Sequence, residues 1–457
     1  MQVNKEEKQN IKMFSIDKQA AIKQRIGVLI AGIDGNNGST LWALHTLTKK
    51  RERAKQPPMY GSLISLGDVQ CLNKSKPVAL HSLLDEVGLP AHLDQIVAID
   101  GWGGRKTTMW EALLENKVIT DSAQLEELRK DAQFDIRRGI VYPEFIGLDL
   151  ERHTLGSAEK DEAYLSKCID NFAILHQLTL VVIIYSGCTE RNVENDKEIS
   201  PSRLYALAAA KCLTNACFIN GAAQETLTPE LMQLFNTRNR ICLGNDLCTG
   251  QTRLKHTILG TFVPQGMPAT YVVSGNYLGN SDGKNLRNNA TNYSKLQSKA
   301  YTSNRLSEFA PTLYQPGGRE LEQLVQISYV KAIGDNKRAI DEMCFDLPCG
   351  AALNMHTTSI CPDTPLAMGV LLDLLLLCGI FDSVLVTVWQ NYPHIVRKLK
   401  CDEANALCAC LLKHPQSAKA RMYFHEARDA LVGALLEICG QHSETLRHRS
   451  IFRLSKM

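Results

Sequence analysis

The chain has 457 residues, a hydrophobic content of 44%, a charged content of 22% and a formal net charge of +3. This length predicts two or three compact units rather than one small domain. A charge so close to neutral gives no support to nucleic-acid binding driven by counterion release. The 15 cysteines have no repeated spacing, and the polar N-terminus from Met1 to Arg25 contains no apolar signal segment. Both features favour reduced thiols in a cytoplasmic protein.

The first predicted element is a strand over Ile26 to Gly32, a continuous apolar run of the kind that is buried in a parallel sheet. A glycine-rich turn and a helix pattern follow. Glycines in such a turn let the backbone approach a pyrophosphate at the helix N-terminus. However, Gly32, Gly35 and Gly38 depart from the usual spacing, and Asp34 puts a carboxylate beside the expected phosphate. A purely structural turn is therefore the alternative.

Strand and helix patterns alternate after this turn. The runs at 95–99 and 178–185 predict strands, and charged amphipathic segments at 121–131 and 159–176 predict helices. This alternation predicts an α/β fold class, with a doubly wound Rossmann-like sheet. The polar turn from Ser186 to Asn192 is a second candidate for cofactor contact, because ligands bind at the carboxyl ends of such strands.

The stretch from 243 to 299 carries an unusual set of charged residues. Asp246 and Asp282 lie in Gly/Asn-rich turns on either side of a predicted strand at 269–273. Lys295 and Lys299 follow at a spacing of four; if this piece is helical, both ammonium groups lie on one face of the helix, where they repel each other. Two solvated surface lysines are the simpler interpretation, but a bound anion would offset the repulsion.

From residue 252 to about 365 the chain has more Asn, Ser and Gly and shorter apolar runs. This change predicts an inserted α+β domain over 252–365. It separates a dinucleotide-binding domain over 1–251 from a C-terminal helical part over 366–457 that returns to the first domain. Within the inserted domain, the polar segment 334–339 is expected to precede a helix.

The C-terminal part contains the longest apolar run, Val370 to Phe381, which Asp373 and Gly379 interrupt. Its length and these breaks favour a buried helix over a membrane span, so no membrane association is expected. Helix patterns continue from residue 404, and Lys413 lies near the end of a Cys/Leu-rich run.

In their order along the chain, these motifs resemble those of the myo-inositol-1-phosphate synthase family. The resemblance covers nearly the whole chain. Its strongest pieces are 35–40, 189–191, Asp246 with 250–252, 276–283, 294–299, 334–335 with Lys337, Asp363 and Lys413. The glycine loop alone is a weak signal, whereas this ordered set is specific.

The resemblance implies an isomerase that uses NAD without net consumption. Members of the family convert D-glucose 6-phosphate to 1D-myo-inositol 3-phosphate by oxidation at C5, enolisation, aldol closure onto the C1 aldehyde and reduction at C5. The enolate and the aldol alkoxide need nearby positive charge, which four lysines supply. The resemblance also implies a homotetramer assembled through the sheet of the second domain.

The resemblance places the family's functional residues by position. Lys295 and Lys299 match lysines at the C5 oxygen and the enolisation step, and Lys337 matches one near hydride transfer and phosphate. Lys413 matches a lysine that polarises the C1 aldehyde. The catalytic set is Lys295, Lys299, Lys337, Lys413, Asp246, Asp282 and Asp363. The cofactor-binding set is Gly32, Gly35, Asn36, Asn37, Gly38, Ser186, Thr189, Gly221, Asp246, Thr249, Asn280, Ser281, Asp282, Gly334, Asp335, Asp363 and Thr364.

Several assignments stay open. The motifs do not decide which lysine removes which proton, and the substrate phosphate is a further candidate base. Asp246 and Asp363 have a structural alternative as helix caps, because aspartate is a preferred N-cap residue. No carboxylate/histidine set has a spacing that identifies a metal.

The departures from the family cluster on the cofactor side. The family has glycine where this chain has Asp34, and its Trp-Asp pair after the second strand is Trp102-Gly103 here. An acidic residue is thus lost near the adenosine, with Arg105 and Lys106 close behind. We therefore expect weaker NAD binding or some tolerance of NADP, since arginine accommodates a ribose 2′-phosphate.

Two other functions compete with the synthase. A sugar-phosphate dehydrogenase that releases its oxidised product would accumulate NADH and would not need Lys413 and Asp363 besides the first lysine pair. A non-catalytic homologue that binds nucleotide or sugar phosphate as a sensor fits the altered cofactor motifs. The four retained lysines argue against the sensor.

Overall fold

The protein is described here by a computed structural model that covers residues 13–17, 21, 24–53, 61–72, 74–194, 198–314, 320–388, 395–417, 419–420 and 422–441. Most of the N-terminal stretch judged from its composition, and the end of the predicted C-terminal helical part, lie outside these residues. The strands are β1 Phe14–Ile16, β2 Ile26–Ala31, β3 Asp68–Val69, β4 Val78–Ala79, β5 Ile96–Gly103, β6 Arg137–Arg138, β7 Leu180–Tyr185, β8 Ala216–Asn220, β9 Cys242–Leu243, β10 Ala269–Leu278, β11 Glu322–Tyr329, β12 Asn336–Asp346, β13 Ala352–Pro362, β14 Val384–Val388 and β15 Ile395–Lys398. The helices are α1 Asn36–Arg53, α2 Leu63–Leu66, α3 Leu80–Glu86, α4 Met109–Asn116, α5 Ser122–Arg129, α6 Ala158–His176, α7 Pro201–Lys211, α8 Pro229–Thr237, α9 Gly250–Phe262, α10 Ser281–Asn285, α11 Asn289–Asn304, α12 Leu306–Phe309, α13 Asp363–Asp382, α14 Cys401–Leu407 and α15 Phe424–Ile438.

The first sheet is six-stranded and parallel, in the order β6-β5-β2-β7-β8-β9. β2 and β7 are buried along their whole length, because side chains are covered on both faces of the sheet. The order of the strands reverses between β2 and β7, and ligands bind at the carboxyl ends of the strands around such a reversal. The predicted doubly wound α/β fold is confirmed.

The apolar run in the C-terminal part forms α13. This helix is long and apolar enough to cross a membrane by composition, but its side chains are packed in the protein interior against α1 and the first sheet. Asp373, in its middle, accepts hydrogen bonds from the Ser62 hydroxyl and from the N–H groups of Leu63 and Ile64. The buried carboxylate therefore caps the short helix α2, and the predicted buried helix is confirmed.

The second sheet is mixed, with strands in the order β11-β10-β12-β13. β10 pairs in parallel with β11 and antiparallel with β12, and β13 continues the antiparallel edge. One face packs on a hydrophobic cluster that includes side chains of α9. On the opposite face Leu324, Ile340 and Ile360 are exposed, so an apolar surface is uncovered in the single chain.

One local prediction is wrong. The polar segment 334–339 precedes a strand, β12, rather than a helix. The side chains from Asn336 to Ile340 alternate between more and less exposed positions, which is the period of a strand at the surface of a sheet. Gly334 makes the turn before it with a φ of 58°.

The predicted domain limits can be compared with the elements. The limits at 251 and 365 both fall inside helices, α9 and α13. Because α9 connects β9 to β10, and α13 follows β13 and packs on the first sheet, neither helix belongs to one predicted part alone. A small third sheet, β1-β14-β15, pairs β1 with β14. The division into three parts stays a prediction.

Candidate active site

The carboxyl ends of β2, β5, β7 and β8 open onto a cavity of about 280 Å³. Residues of β10, α10, α11 and the segment at 413 close its other side. The predicted site residues that line it are Gly32, Gly35, Asn36, Asn37, Ser186, Thr189, Gly221, Asp246, Thr249, Asn280, Ser281, Asp282, Lys295, Lys299, Lys337, Asp363, Thr364 and Lys413. Gly38, Gly334 and Asp335 are not part of this lining.

The glycine loop between β2 and α1 is compact. Gly32 has a φ of 90°, and a Cβ on it would lie 2.8 Å from the backbone of Gly187. A Cβ on Gly38 would lie 2.5 Å from the Gly32 carbonyl oxygen, so glycine is required at both positions. The first turn of α1, which starts at Asn36, carries no carboxylate and lies beside the cavity. These features fit a dinucleotide pyrophosphate.

Asp335 lies outside the cavity lining and connects two of the segments that form it. Its Oδ1 accepts a hydrogen bond from Asn36 Nδ2 at 2.9 Å and another from the Thr364 hydroxyl at 2.8 Å. Asp335 therefore ties the glycine loop of the first sheet to the start of α13. This contact holds the glycine loop against the residue that follows Asp363.

The turn after β7 is held by two carboxylates. Asp282 accepts hydrogen bonds from the Thr189 N–H at 3.0 Å and from the Thr189 hydroxyl at 3.3 Å. Glu190 is buried and accepts from the Tyr185 hydroxyl at 2.7 Å. Burial raises the pKa of Glu190. Asp282 thus links the second sheet to the cofactor-side turn.

Asp246 is the centre of the charged wall. Its carboxylate lies 3.0 Å from Lys413 Nζ and 3.4 Å from Lys295 Nζ, and it accepts from the Ser298 hydroxyl at 2.7 Å. Burial opposes its ionisation, but the charges of Lys295 and Lys413 hold the pKa of Asp246 well below its ordinary value. Asp246 therefore pairs two lysines and is not a helix cap.

Asp363 begins α13, yet its side chain also has an ionic partner. Its Oδ1 lies 3.3 Å from Lys337 Nζ. Although burial opposes ionisation, Lys337 and the other cavity lysines keep the pKa of Asp363 below its ordinary value. The cap interpretation therefore does not account for this carboxylate.

The lysines differ in their surroundings, as a division of roles requires. For Lys295, burial disfavours the charged form, but Asp246, Asp282 and Asp363 together raise its pKa. For Lys413, burial outweighs the attraction of Asp246 and lowers the pKa to about 8. Lys295 and Lys299 both lie on α11, so this piece of the chain is helical.

Lys299 differs from the other three lysines, each of which pairs with a carboxylate. It is 3% exposed, and its partners among the described residues are two amide oxygens, Asn276 Oδ1 at 2.7 Å and Gln251 Oε1 at 3.3 Å. Burial, reinforced by repulsion from Lys337 and other lysines, lowers the pKa of Lys299 well below its ordinary value. This shift is toward the neutral amine, which is the form that removes a proton.

Sequence reasoning quoted Gln251 and Asn276 as parts of motifs but did not assign them to the site. Asp341, which it missed entirely, accepts from Gln251 Nε2 at 2.9 Å and so turns the amide oxygen toward Lys299. Ser298, the donor to Asp246, was likewise quoted within the 294–299 motif but not assigned to the site. Its position between the two lysines on α11 was the available signal.

The comparisons with known proteins agree with this geometry. A family model described as myo-inositol-1-phosphate synthase matches residues 26–431. The chain is 30% identical over 387 residues to inositol-3-phosphate synthase 1 of Homo sapiens, which covers 79% of this chain and 69% of that protein. It is 31% identical over 386 residues to the probable inositol 3-phosphate synthase isozyme 3 of Arabidopsis thaliana, with coverage of 77% and 74%.

Solved structures give the same picture. The crystal structure of inositol-3-phosphate synthase from Caenorhabditis elegans matches with a TM-score of 0.80 and 25% identity, over 95% of this chain and 90% of that chain. A myo-inositol-1-phosphate synthase-related protein from Thermotoga maritima has a TM-score of 0.63 at 18% identity, over 92% and 100% of the chains. The second match concerns the fold alone.

Proposed function

This chain belongs to the myo-inositol-1-phosphate synthase family, and from that membership we infer that it is an inositol-3-phosphate synthase. It is an isomerase that uses NAD and converts D-glucose 6-phosphate to 1D-myo-inositol 3-phosphate. The observation that carries this proposal is the set of four lysines lining one cavity at the mouth of a dinucleotide-binding sheet. Ring closure needs positive charge at both an enolate and an aldol alkoxide, which a simple dehydrogenase does not.

The glycine loop, the N-terminus of α1 and the turn after β7 are the parts that would hold NAD. Bound there, NAD would supply the hydride acceptor for oxidation at C5 and the hydride for its later reduction. The substrate phosphate is assigned to the N-terminus of α9, where Thr249 lines the cavity, together with Lys337. A helix N-terminus and a nearby ammonium group both attract phosphate.

The proton-transfer roles follow from the charges of the lysines. Once C5 is a ketone, the hydrogens on C6 are acidic, and the neutral amine of Lys299 removes one of them. Lys295, which its carboxylate neighbours keep charged, stabilises the negative oxygen at C5. Lys413 in its charged form polarises the C1 aldehyde, and Asp246 holds it and Lys295 in place.

We expect full-length protein incubated with D-glucose 6-phosphate and a catalytic amount of NAD to form inositol phosphate without net NADH. Phosphorus NMR follows the product, and absorbance follows NADH. Accumulated NADH without inositol phosphate would support a dehydrogenase instead. If folded protein produces neither with NAD or NADP, the non-catalytic homologue is the better description.

We also propose that the protein is a cytoplasmic homotetramer. All 15 cysteines are free thiols, which suits a reducing compartment. The exposed side chains of Leu324, Ile340 and Ile360 give the second sheet an apolar face of the kind that subunits cover. Sedimentation equilibrium should give about four times the chain mass of 50.8 kDa, and the double substitution Leu324→Glu/Ile340→Glu should lower it. A wild-type monomer at micromolar concentration would contradict the assembly.

A further inference from the structure

The second strand of the parallel sheet, β5, ends without the carboxylate that NAD-binding sheets use. In such sheets an acidic residue after this strand accepts a hydrogen bond from the adenosine ribose 2′-hydroxyl and repels a 2′-phosphate. Here β5 ends at Gly103. A Cβ built on Gly103 would lie 2.9 Å from Ile136 Cγ2, 3.0 Å from Asp34 Cγ and 3.2 Å from Asp34 Oδ2. The carboxylate of Asp34 thus occupies part of the space that a side chain at 103 would fill.

Asp34 reaches this place from the glycine loop. It is 7% exposed and borders the cavity. Both of its carboxylate oxygens accept from the Gly104 N–H at 3.1 Å, and Oδ2 also accepts from the Arg105 N–H at 3.3 Å. Asn116 Nδ2 donates to the Asp34 carbonyl oxygen at 3.0 Å and fixes the loop behind it. The carboxylate therefore faces the end of β5, which removes the expected conflict with the pyrophosphate.

Arg105, which on sequence grounds was expected to allow some tolerance of NADP, already pairs with two carboxylates. Its Nε lies 3.5 Å from Asp34, and its other side carries an ion pair with Glu115 at 2.5 Å. Two carboxylates around one guanidinium leave this corner with a net negative charge. A 2′-phosphate brought here would meet that charge.

We propose that Asp34 replaces the missing carboxylate of residue 103 and is the residue that selects NAD over NADP. This inference rests on the proposed use of a dinucleotide cofactor. It differs from the weaker NAD binding or tolerance of NADP expected from the sequence, because that expectation assumed that no carboxylate stands at the end of β5.

The test is direct binding of each nucleotide to full-length protein by isothermal titration calorimetry. Burial raises the pKa of Asp34, against the opposing effects of the Gly104 N–H and Arg105, so the titrations are made at pH 8, which favours the charged carboxylate. Wild type should bind NAD more tightly than NADP. Asp34→Asn should reduce the NAD:NADP affinity ratio by about tenfold to a hundredfold, since a hydrogen bond to a charged group is lost and a repulsion is removed.

Two further variants separate this role from simple loss of structure. The exchange Asp34→Gly/Gly103→Asp returns a carboxylate to β5 and should restore the preference for NAD. Glu115→Gln removes the other ionic partner of Arg105. Because the Glu115 carboxylate is exposed, this variant should change the NAD:NADP affinity ratio by less than about fivefold.

The outcomes are distinct. If wild type binds NAD and Asp34→Asn leaves the ratio unchanged, the inference is overturned while the synthase proposal stands. Equal effects of Asp34→Asn and Glu115→Gln would also overturn it, because the selection would then depend on Arg105 alone. A folded wild type that binds neither nucleotide would overturn both proposals.

Discussion

Replacing Lys299 with methionine should lower kcat by about 10²–10⁴-fold, the usual contribution of a positioned general base. Methionine keeps most of the length of the side chain and removes the amine. Because Lys299 is assigned to the enolisation step and not to hydride transfer, enzyme-bound NADH should still form in a single turnover. Rapid-mixing absorbance with excess enzyme measures that NADH, and phosphorus NMR measures the missing inositol phosphate.

A suitable control is Lys284→Met, which removes an exposed lysine from α10, close in sequence to the site. It should leave kcat within about twofold of wild type. If Lys299→Met retained normal turnover, the assignment of the base would be wrong. If it abolished the NADH burst as well as the product, Lys299 would belong to the oxidation step instead.

Replacing Asp246 with asparagine should affect both activity and stability. The change leaves the ammonium groups of Lys295 and Lys413 buried without their shared carboxylate, and breaking a buried pair in this way costs about 3–5 kcal/mol of unfolding free energy. Displacement of two substrate-facing lysines should lower kcat by about 10²-fold or more. Chemical denaturation and steady-state kinetics measure the two effects separately.

The pH dependence of this variant has a definite sign. In the wild type the charged form of Lys413, with a pKa of about 8, is lost as the pH rises through that value. Asp246 raises the pKa of Lys413, so its removal should move the alkaline fall of kcat to lower pH.

The pKa of Asp246 itself is depressed in the folded state, so its contribution to stability is present above the ordinary carboxyl pKa of 3.8. It is lost as the pH falls through the folded value, and the stability gap between variant and wild type should narrow in acid.

Asp131→Asn is the matched control for the ion pair. Asp131 pairs with Lys50 at 2.6 Å, but both side chains are substantially exposed, so its loss should cost at most about 1 kcal/mol and leave the pH profile unchanged. Similar losses in the two variants would show that Asp246 is an ordinary ion-pair partner.

Much of the fold is readable from periodicity. The continuous apolar runs of β2 and β7 and the amphipathic pattern of α6 were enough to predict a doubly wound sheet. The error at β12 has a physical cause. One face of this strand is exposed, and its charged and apolar residues alternate too weakly for the sequence pattern to distinguish a strand from a helix.

The site was predicted less completely, because charge states depend on neighbours that are distant in sequence. Lys295 and Lys299 are four residues apart and look equivalent in the sequence. In the fold, one meets Asp246 and the other meets two amide oxygens, so their pKa values move in opposite directions. Similarly, the sequence suggested a lost carboxylate at residue 103, since the contact with Asp34 joins the end of β5 to the loop after β2, far apart in the chain.

The pairing of β1 with β14 has a consequence for synthesis of the protein. Ile16 pairs with Val384, and the N–H of Met13 donates to the Glu437 carboxylate at 2.7 Å. At about 5–20 residues per second, roughly 20–70 s of translation separate β1 from its partner strand. Lys413 is made later still. A ribosome-bound chain therefore contains the strands of the parallel sheet and three of the four site lysines while β1 is still unpaired and the site is incomplete. We expect chaperone binding to matter most during this interval.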